Sequence, residues 1–113
     1  MRFLNEVALA AASNTGTVTS AAIDASNLFA ASAQAKFTDG TAAGTLVLQG
    51  SNDLPTPGGP TNWSDIPNTS QSVSSGALTL VPRTEICYRY IRVSWTSSGG
   101  AGTLTATLQA QGF

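Results

Sequence analysis

The chain has 113 residues, a formal net charge of −1 and no histidine. This length favours one domain with a single hydrophobic core. Only 10% of the residues are charged, and the five basic residues are spread along the sequence without forming a patch. We therefore expect no nucleic-acid partner. No apolar run approaches the ~18 residues that a membrane-spanning helix needs, so we expect no membrane insertion.

The N-terminal stretch MRFLNEVALAAAS stands apart from the rest of the chain. Glu6 interrupts its apolar residues and the run is short, so we do not expect a secretory signal peptide. Phe3 and Leu4 lie outside the strand pattern that follows. We predict an N-terminal arm over residues 1–13, followed by one domain over residues 14–113. The arm could tether a neighbouring subunit, or pack on its own domain as a strand or a short helix.

Apolar and polar residues alternate with period two after residue 14, which is typical of half-buried strands. Turn-forming residues, mainly Gly, Pro, Asn and Ser, separate the alternating segments. Short strands with turns between them predict an all-β fold, a single-domain β-sandwich of jelly-roll-like form. The predicted strands cover residues 15–23, 28–38, 44–50, 77–81, 87–95 and 103–110.

The strand CYRYIRVSW (87–95) carries large side chains on both of its faces. Alternation places Cys87, Arg89, Ile91, Val93 and Trp95 on one face, which we predict to be core, with Cys87 as a small buried hydrophobe. The other face carries Tyr88, Tyr90 and Arg92. Tyr and Arg are enriched at protein interfaces, so we predict a subunit interface there. The alternative is that these side chains lie flat on a solvated sheet.

Residues 51–69 form the longest break and contain four prolines. Proline cannot donate to a strand ladder, so this segment is predicted to be a surface loop. Trp63 in this loop could stack on a sugar or anchor a partner, or fold back over one end of the sandwich. Asn52, Asp53 and Asp65 are the further candidate ligand-binding residues. Their oxygens could bind calcium, but the interpretation we favour is turn formation, so we expect no metal and no cofactor.

Catalytic chemistry finds little support in the sequence. Histidine, the commonest general base, is absent, and a structural zinc site is excluded with a single cysteine. No phosphate-binding loop, dinucleotide fingerprint or nucleophile elbow occurs. The acidic residues lie almost entirely in predicted turns rather than as a facing pair. We therefore expect a protein that is not an enzyme.

The segments GTLVLQGSND, NWSDIP and YRYIRVSWTSSGGAGTLTATLQ together resemble small β-rich virion proteins of tailed bacteriophages, in particular capsid decoration (cement) proteins. The resemblance implies a jelly-roll-like sandwich that forms trimers or dimers on a capsid lattice, with the trimer favoured. Its partner would be the major capsid protein, and its location the virion, assembled in the host cytoplasm. Phe3, Leu4, Tyr88, Tyr90 and Arg92 would then form interfaces.

Part of the same pattern is similar to discoidin-like sugar- and lipid-binding sandwiches, which share a GSND segment, a following Trp and an RYIRV strand. Those domains are usually longer and typically carry a cysteine pair that this chain lacks. This second resemblance implies a carbohydrate-binding adhesion module of a tail or surface fibre, acting through Trp63 and the 51–69 loop.

Overall fold

The computed structural model describes residues 2–13 and 15–112, and every regular element in that part of the chain is a β-strand. No described segment is a helix able to cross a membrane. The strands are β1 (Arg2–Ser13), β2 (Thr17–Thr19), β3 (Ile23–Asp24), β4 (Leu28–Phe37), β5 (Ala43–Ser51), β6 (Ser64–Asp65), β7 (Gln71–Val73), β8 (Thr79–Glu85), β9 (Tyr90–Gly99) and β10 (Thr103–Gly112).

The strands form two antiparallel sheets. The four-stranded sheet has the order β1-β10-β4-β8, and the six-stranded sheet has the order β2-β9-β5-β6, with β3 paired to β9 and β7 paired to β5. The pairing is nested: β1 meets β10, β2 and β3 meet β9, β4 meets β8, and β5 meets β7. Nested antiparallel pairs in two sheets are the connectivity of a jelly roll. The predicted all-β, jelly-roll-like sandwich is therefore confirmed.

The core lies between the inner faces of the central strands. Ile91, Val93 and Trp95 of β9 are fully buried, as predicted. In β10 every second residue from Leu104 to Ala110 is buried, because alternation places those side chains on one face of the strand. The ring of Phe37 packs against that of Trp95 with centroids 4.9 Å apart. The period-two pattern thus identified the core face of both strands.

Two glycines of β5 make room for aromatic rings in this core. A Cβ on Gly44 would lie 2.8 Å from the Trp95 ring, and one on Gly50 would lie 2.7 Å from the Tyr88 ring. Gly50 is the register partner of Ile91, which faces the core. The Tyr88 ring therefore lies on the core side of the six-stranded sheet, and it packs against the buried cluster.

The N-terminal stretch that we predicted as an arm is strand β1. It pairs antiparallel with β10 from Arg2 to Ser13, with register shifts around Leu9. The alternative of a strand packed on its own domain is the one observed, and a helix over residues 4–12 is not. Leu9 is buried and Leu4 packs partly against the core, which explains why the segment docks on the sandwich. The boundary at residue 14 stays a prediction, and that residue lies outside the described part.

Three further sequence predictions differ from the structure. Cys87 is exposed rather than buried, because β9 begins at Tyr90 and the alternation of that strand does not extend back to residue 87. Ile86 occupies the buried position instead, with its N–H bonded to the Phe29 carbonyl at 3.0 Å. The predicted strand over 15–23 is divided into β2 and β3. Finally, β7 lies in a stretch for which we predicted no strand.

Candidate functional site

The outer face of the six-stranded sheet carries four of the nine residues that the sequence marked for function, namely Trp63, Asp65, Tyr90 and Arg92. Antiparallel register places Arg92 of β9 opposite Gln49 of β5, and Gln49 opposite Asp65 of β6. Tyr90 lies opposite Ser51 in the same pair of strands. These positions alternate with Leu48 and Val93 of the core, so their side chains point away from it.

Hydrogen bonds join three of these side chains in a row. Arg92 Nε donates to Gln49 Oε1 at 2.7 Å, and Gln49 Nε2 donates to Asp65 Oδ1 at 2.9 Å. The Trp63 ring lies over the guanidinium, with the Arg92 Cζ 4.3 Å from the ring centroid. Partial burial lowers the pKa of Arg92, although an arginine side chain stays charged at neutral pH. We call Trp63, Arg92, Gln49 and Asp65 the Trp63–Arg92 patch.

Trp63 therefore folds back onto the outer face of the six-stranded sheet, and not over one end of the sandwich as the sequence suggested. Whether its ring stacks on a sugar or anchors a partner stays a prediction. Its indole Nε1 donates to the Pro60 carbonyl at 3.3 Å, which fixes the ring relative to its own loop. The side chain is half-buried, so part of the ring remains accessible beside the charged groups of the patch. A cation held over an aromatic face contributes about 0.5–1 kcal/mol at such sites. The patch is thus organised before any partner arrives.

The loop that carries Trp63 is organised by Asp53. Its Oδ2 accepts N–H bonds from Thr61 at 2.8 Å and Asn62 at 2.9 Å, and its Oδ1 accepts from the Asn62 side chain at 3.0 Å. Those bonds, the Asn62 side chain first, lower the pKa of Asp53. Asn52 Oδ1 accepts the Arg89 N–H at 2.9 Å. Asp53 thus closes its loop across eight and nine residues, and Asn52 joins the loop to the segment before β9, so neither side chain forms the local turn contact that we favoured from the sequence. Within residues 2–13 and 15–112, no three Asp, Glu or Cys side chains form a group that could hold a metal.

The predicted interface residues fall on three surfaces. Tyr90 and Arg92 share the outer face of the six-stranded sheet, but Tyr88 precedes β9 and its ring lies on the core side, against the position of Gly50. The prediction that Tyr88 lies on the same face as Tyr90 and Arg92 is therefore wrong. Phe3 and Leu4 belong to the other sheet: Phe3 is 58% exposed, whereas Leu4 is partly buried against the core. Whether any of these residues meets a partner stays a prediction.

Sequence reasoning missed Gln49, the residue that links Arg92 to Asp65. The signal was present, because Thr45, Val47 and Gln49 alternate with the core residues of β5 and so share its outer face. What the alternation could not show is that β9 and β6 flank β5 on opposite sides. That arrangement places one amide side chain within hydrogen-bonding distance of both a guanidinium and a carboxylate.

Acid should destabilise this fold through three turn aspartates. Hydrogen bonds to the carboxylates lower the pKa of all three residues. Asp24 accepts from the Ser26 side chain and N–H, and Asp39 accepts from the Thr41 N–H and hydroxyl. Asp53 accepts the bonds from Thr61 and Asn62 described above. A pKa lowered in the folded state gives stability above the unfolded value of about 3.9, and that stability is lost as pH falls through the folded value. We expect the free energy of unfolding to fall as pH drops below about 4.

Urea unfolding measured from neutral pH down to about pH 3 tests this expectation. The triple variant D24N/D39N/D53N should be less stable at neutral pH and should show a flatter pH dependence than the wild type. A wild-type free energy of unfolding that does not change on acidification would contradict the role of these three aspartates. The same holds if the triple variant loses stability with falling pH as steeply as the wild type.

Comparison with known proteins places the fold among solved structures. No protein-family model matches the sequence, and no curated protein matches it significantly. The PBSX exported protein XepA is similar to this chain with a TM-score of 0.73 and 16% identity, covering 97% of this chain and 37% of XepA. PirA is similar with a TM-score of 0.58 and 14% identity, covering 96% of this chain and 93% of PirA.

A chain of the infectious bursal disease virus Gx strain is similar with a TM-score of 0.53 and 12% identity. The match covers 96% of this chain and 32% of the viral chain. This protein therefore spans only about a third of the length of XepA and of the viral chain, and nearly all of PirA. At these identities the likeness shows a shared fold.

Proposed function

We propose that this protein is a non-enzymatic structural protein of a phage particle, which binds the major capsid protein as a decoration subunit. Jelly rolls are common in capsid and lectin domains, and the same fold occurs in a chain of a virus. The low share of charged residues fits a protein that buries its surfaces in a larger assembly. Its location would be the virion, after assembly in the host cytoplasm.

The observation that carries the proposal is the Trp63–Arg92 patch on the outer face of the six-stranded sheet. Arg and aromatic residues dominate the energetics of protein interfaces, and groups already fixed in place lose little entropy when a partner binds. Tyr90, half-buried beside the patch, adds a second aromatic ring with a polar tip. The exposed Asp65 offers a carboxylate acceptor next to these donors.

Co-sedimentation with assembled phage capsids that lack this chain tests the proposal. The wild type should pellet with the capsids and raise the temperature at which they open. The double variant W63A/R92A should lose both effects, because it removes the stacked pair. Lys36→Ala, on the other sheet, is the matched control and should pellet like the wild type. A wild-type chain that stays in the supernatant would contradict the decoration role.

A second candidate function is carbohydrate binding, as an adhesion module of a tail or surface fibre. The same patch favours it, because an accessible aromatic ring can stack on a sugar while Arg92 and Asp65 offer a donor and an acceptor for its hydroxyl groups. Glycan-array binding that is lost in Trp63→Ala, without capsid binding, would support the module over the decoration subunit. No binding to any glycan would contradict it.

A further inference from the structure

The outer face of the four-stranded sheet combines exposed apolar side chains at its edges with uncharged polar groups at its centre. Within residues 2–13 and 15–112, large hydrophobic side chains are exposed at Phe3, Val7, Leu54, Leu78 and Leu80, with exposed fractions of 55–70%. All but Leu54 lie on this face or at its margin. Their concentration on one sheet marks an interaction surface, because monomeric proteins rarely group such side chains.

Strand register arranges these side chains in rows. One row runs Val7–Thr107–Gln34–Leu80 across all four strands, from one edge to the other. The neighbouring row runs Asn5–Gln109–Ser32. Apolar groups therefore stand along both edge strands, β1 and β8, and amide and hydroxyl groups occupy the central strands. Together they line a depression of about 520 Å³, which Glu6 of β1 also borders.

Charged side chains of this sheet lie towards its ends. Lys36 is next to the last residue of β4, whereas Arg83 and Glu85 lie towards the opposite end of the sheet, where Arg83 Nε donates to Gln111 Oε1 at 3.4 Å. Glu6 lies within the edge strand β1 and is exposed, but it pairs with Leu108, so alternation directs its side chain to the other side of the strand from Val7. The two rows at the middle of the face contain no charged residue, and Glu6 borders them from the edge. Covering the rows therefore leaves the charged groups at the margin, where they can stay in water, and avoids the cost of burying an unpaired charge.

We propose that this face binds a second copy of this chain, so that two sandwiches pack back to back through their four-stranded sheets. A two-fold axis parallel to the sheets places edge strands on edge strands and central strands on central strands. Because both edges are apolar and the centre is polar and uncharged, this symmetry matches apolar with apolar and amide with hydroxyl. A two-fold interface requires a self-complementary surface of this kind.

The area of the face agrees with a stable dimer. Four strands about 4.8 Å apart and about ten residues long, at about 3.3 Å per residue, span roughly 600 Å². Covering the face on both copies removes about 1,200 Å² from water, the lower end of the range for specific interfaces. This dimer leaves the Trp63–Arg92 patch on the outside of each copy, so it does not depend on which external partner the patch binds.

The mass in solution, measured by light scattering after size exclusion over a wide range of concentrations, tests the dimer. The wild type should have twice the 11.5 kDa mass of one chain. The double variant V7K/L80K places four lysines in the two-fold interface and should have the mass of one chain, with an unchanged far-ultraviolet circular dichroism spectrum. The controls Leu54→Lys, in the loop, and Thr45→Lys, on the other sheet, should remain dimeric.

Cross-linking gives a second readout that does not depend on introduced charge. In a Cys87→Ser background, Gln109→Cys places a thiol near the centre of the face and should give a disulfide-linked dimer on mild oxidation. A thiol from Thr45→Cys, on the other sheet, should not. A wild-type mass of one chain at every concentration would overturn the inference, and so would a trimer or dimer that V7K/L80K leaves unchanged.

Discussion

We expect Trp95→Ala to lower the free energy of unfolding by roughly 3–5 kcal/mol, the range for removing a large aromatic side chain from a core. Trp95 is fully buried, its ring packs at 4.9 Å from that of Phe37, and Gly44 faces it from β5. Strand β9, which carries Trp95, is hydrogen-bonded to β2 and β3 on one side and to β5 on the other. It therefore cannot move to fill the space left by the ring. Chemical unfolding monitored by far-ultraviolet circular dichroism would measure the loss.

The other tryptophan of the chain provides the matched control. Trp63→Ala removes the same ring from a half-buried position over Arg92, so we expect a loss of about 1 kcal/mol, the size of a cation–π contact. Equal losses for the two variants would contradict the assignment of Trp95 to the core and Trp63 to the surface. If Trp95→Ala does not fold, Trp95→Phe should fold and be less stable than the wild type.

The second large effect is expected from Gly44→Ala, a change of a single methyl group. The added Cβ would overlap the main-chain carbonyl oxygen of Thr96 and lie 2.8 Å from the Trp95 ring. Relief of that overlap requires β5 to move away from β9, to which it is hydrogen-bonded along its length. Overpacking of this kind typically costs about 1–3 kcal/mol, and we expect the upper end because the obstacle is backbone.

Gly40→Ala is the control for this change. Nothing lies within 4 Å of a Cβ at Gly40, in the turn before β5, so the variant should match the wild type in its free energy of unfolding. The two variants have the same composition and differ only in where the methyl group is placed. A Gly44→Ala protein as stable as Gly40→Ala would contradict the close approach of Gly44 to the Thr96 carbonyl.

The two sheets give the protein two surfaces of different chemistry. The six-stranded sheet presents Arg92, Asp65 and an aromatic ring, which suit a partner with polar or charged groups. The four-stranded sheet presents Val7 and Leu80 at the ends of an uncharged row, which suits a copy of itself. A subunit that pairs through one sheet and binds a capsid or a glycan through the other would engage its partner at two places, which increases its effective affinity.

The long strands after residue 14 and their buried faces could be predicted from the pattern of residues, whereas the short strands β6 and β7 could not. Period-two alternation identified Ile91, Val93 and Trp95, and likewise Leu104 to Ala110, because side chains of a strand point alternately to its two faces. Alternation failed at a strand boundary: it predicted that Cys87 and Tyr88 belong to β9, but the strand begins at Tyr90. Whether a residue belongs to the ladder depends on its partner strand, here β3 and β5, and not on its neighbours in sequence.

Which distant residues meet depends on how the strands pair in the folded protein. Gln49 and Arg92 are 43 residues apart and become neighbours through the register of β5 with β9. The loop closed by Asp53 brings Trp63 over Arg92. The N-terminal segment is too weakly patterned to indicate its partner, and it is a strand because β10, at the other end of the chain, offers a free edge. Alternation is a local property of the chain, whereas the choice of pairing partner depends on how all the strands pack together.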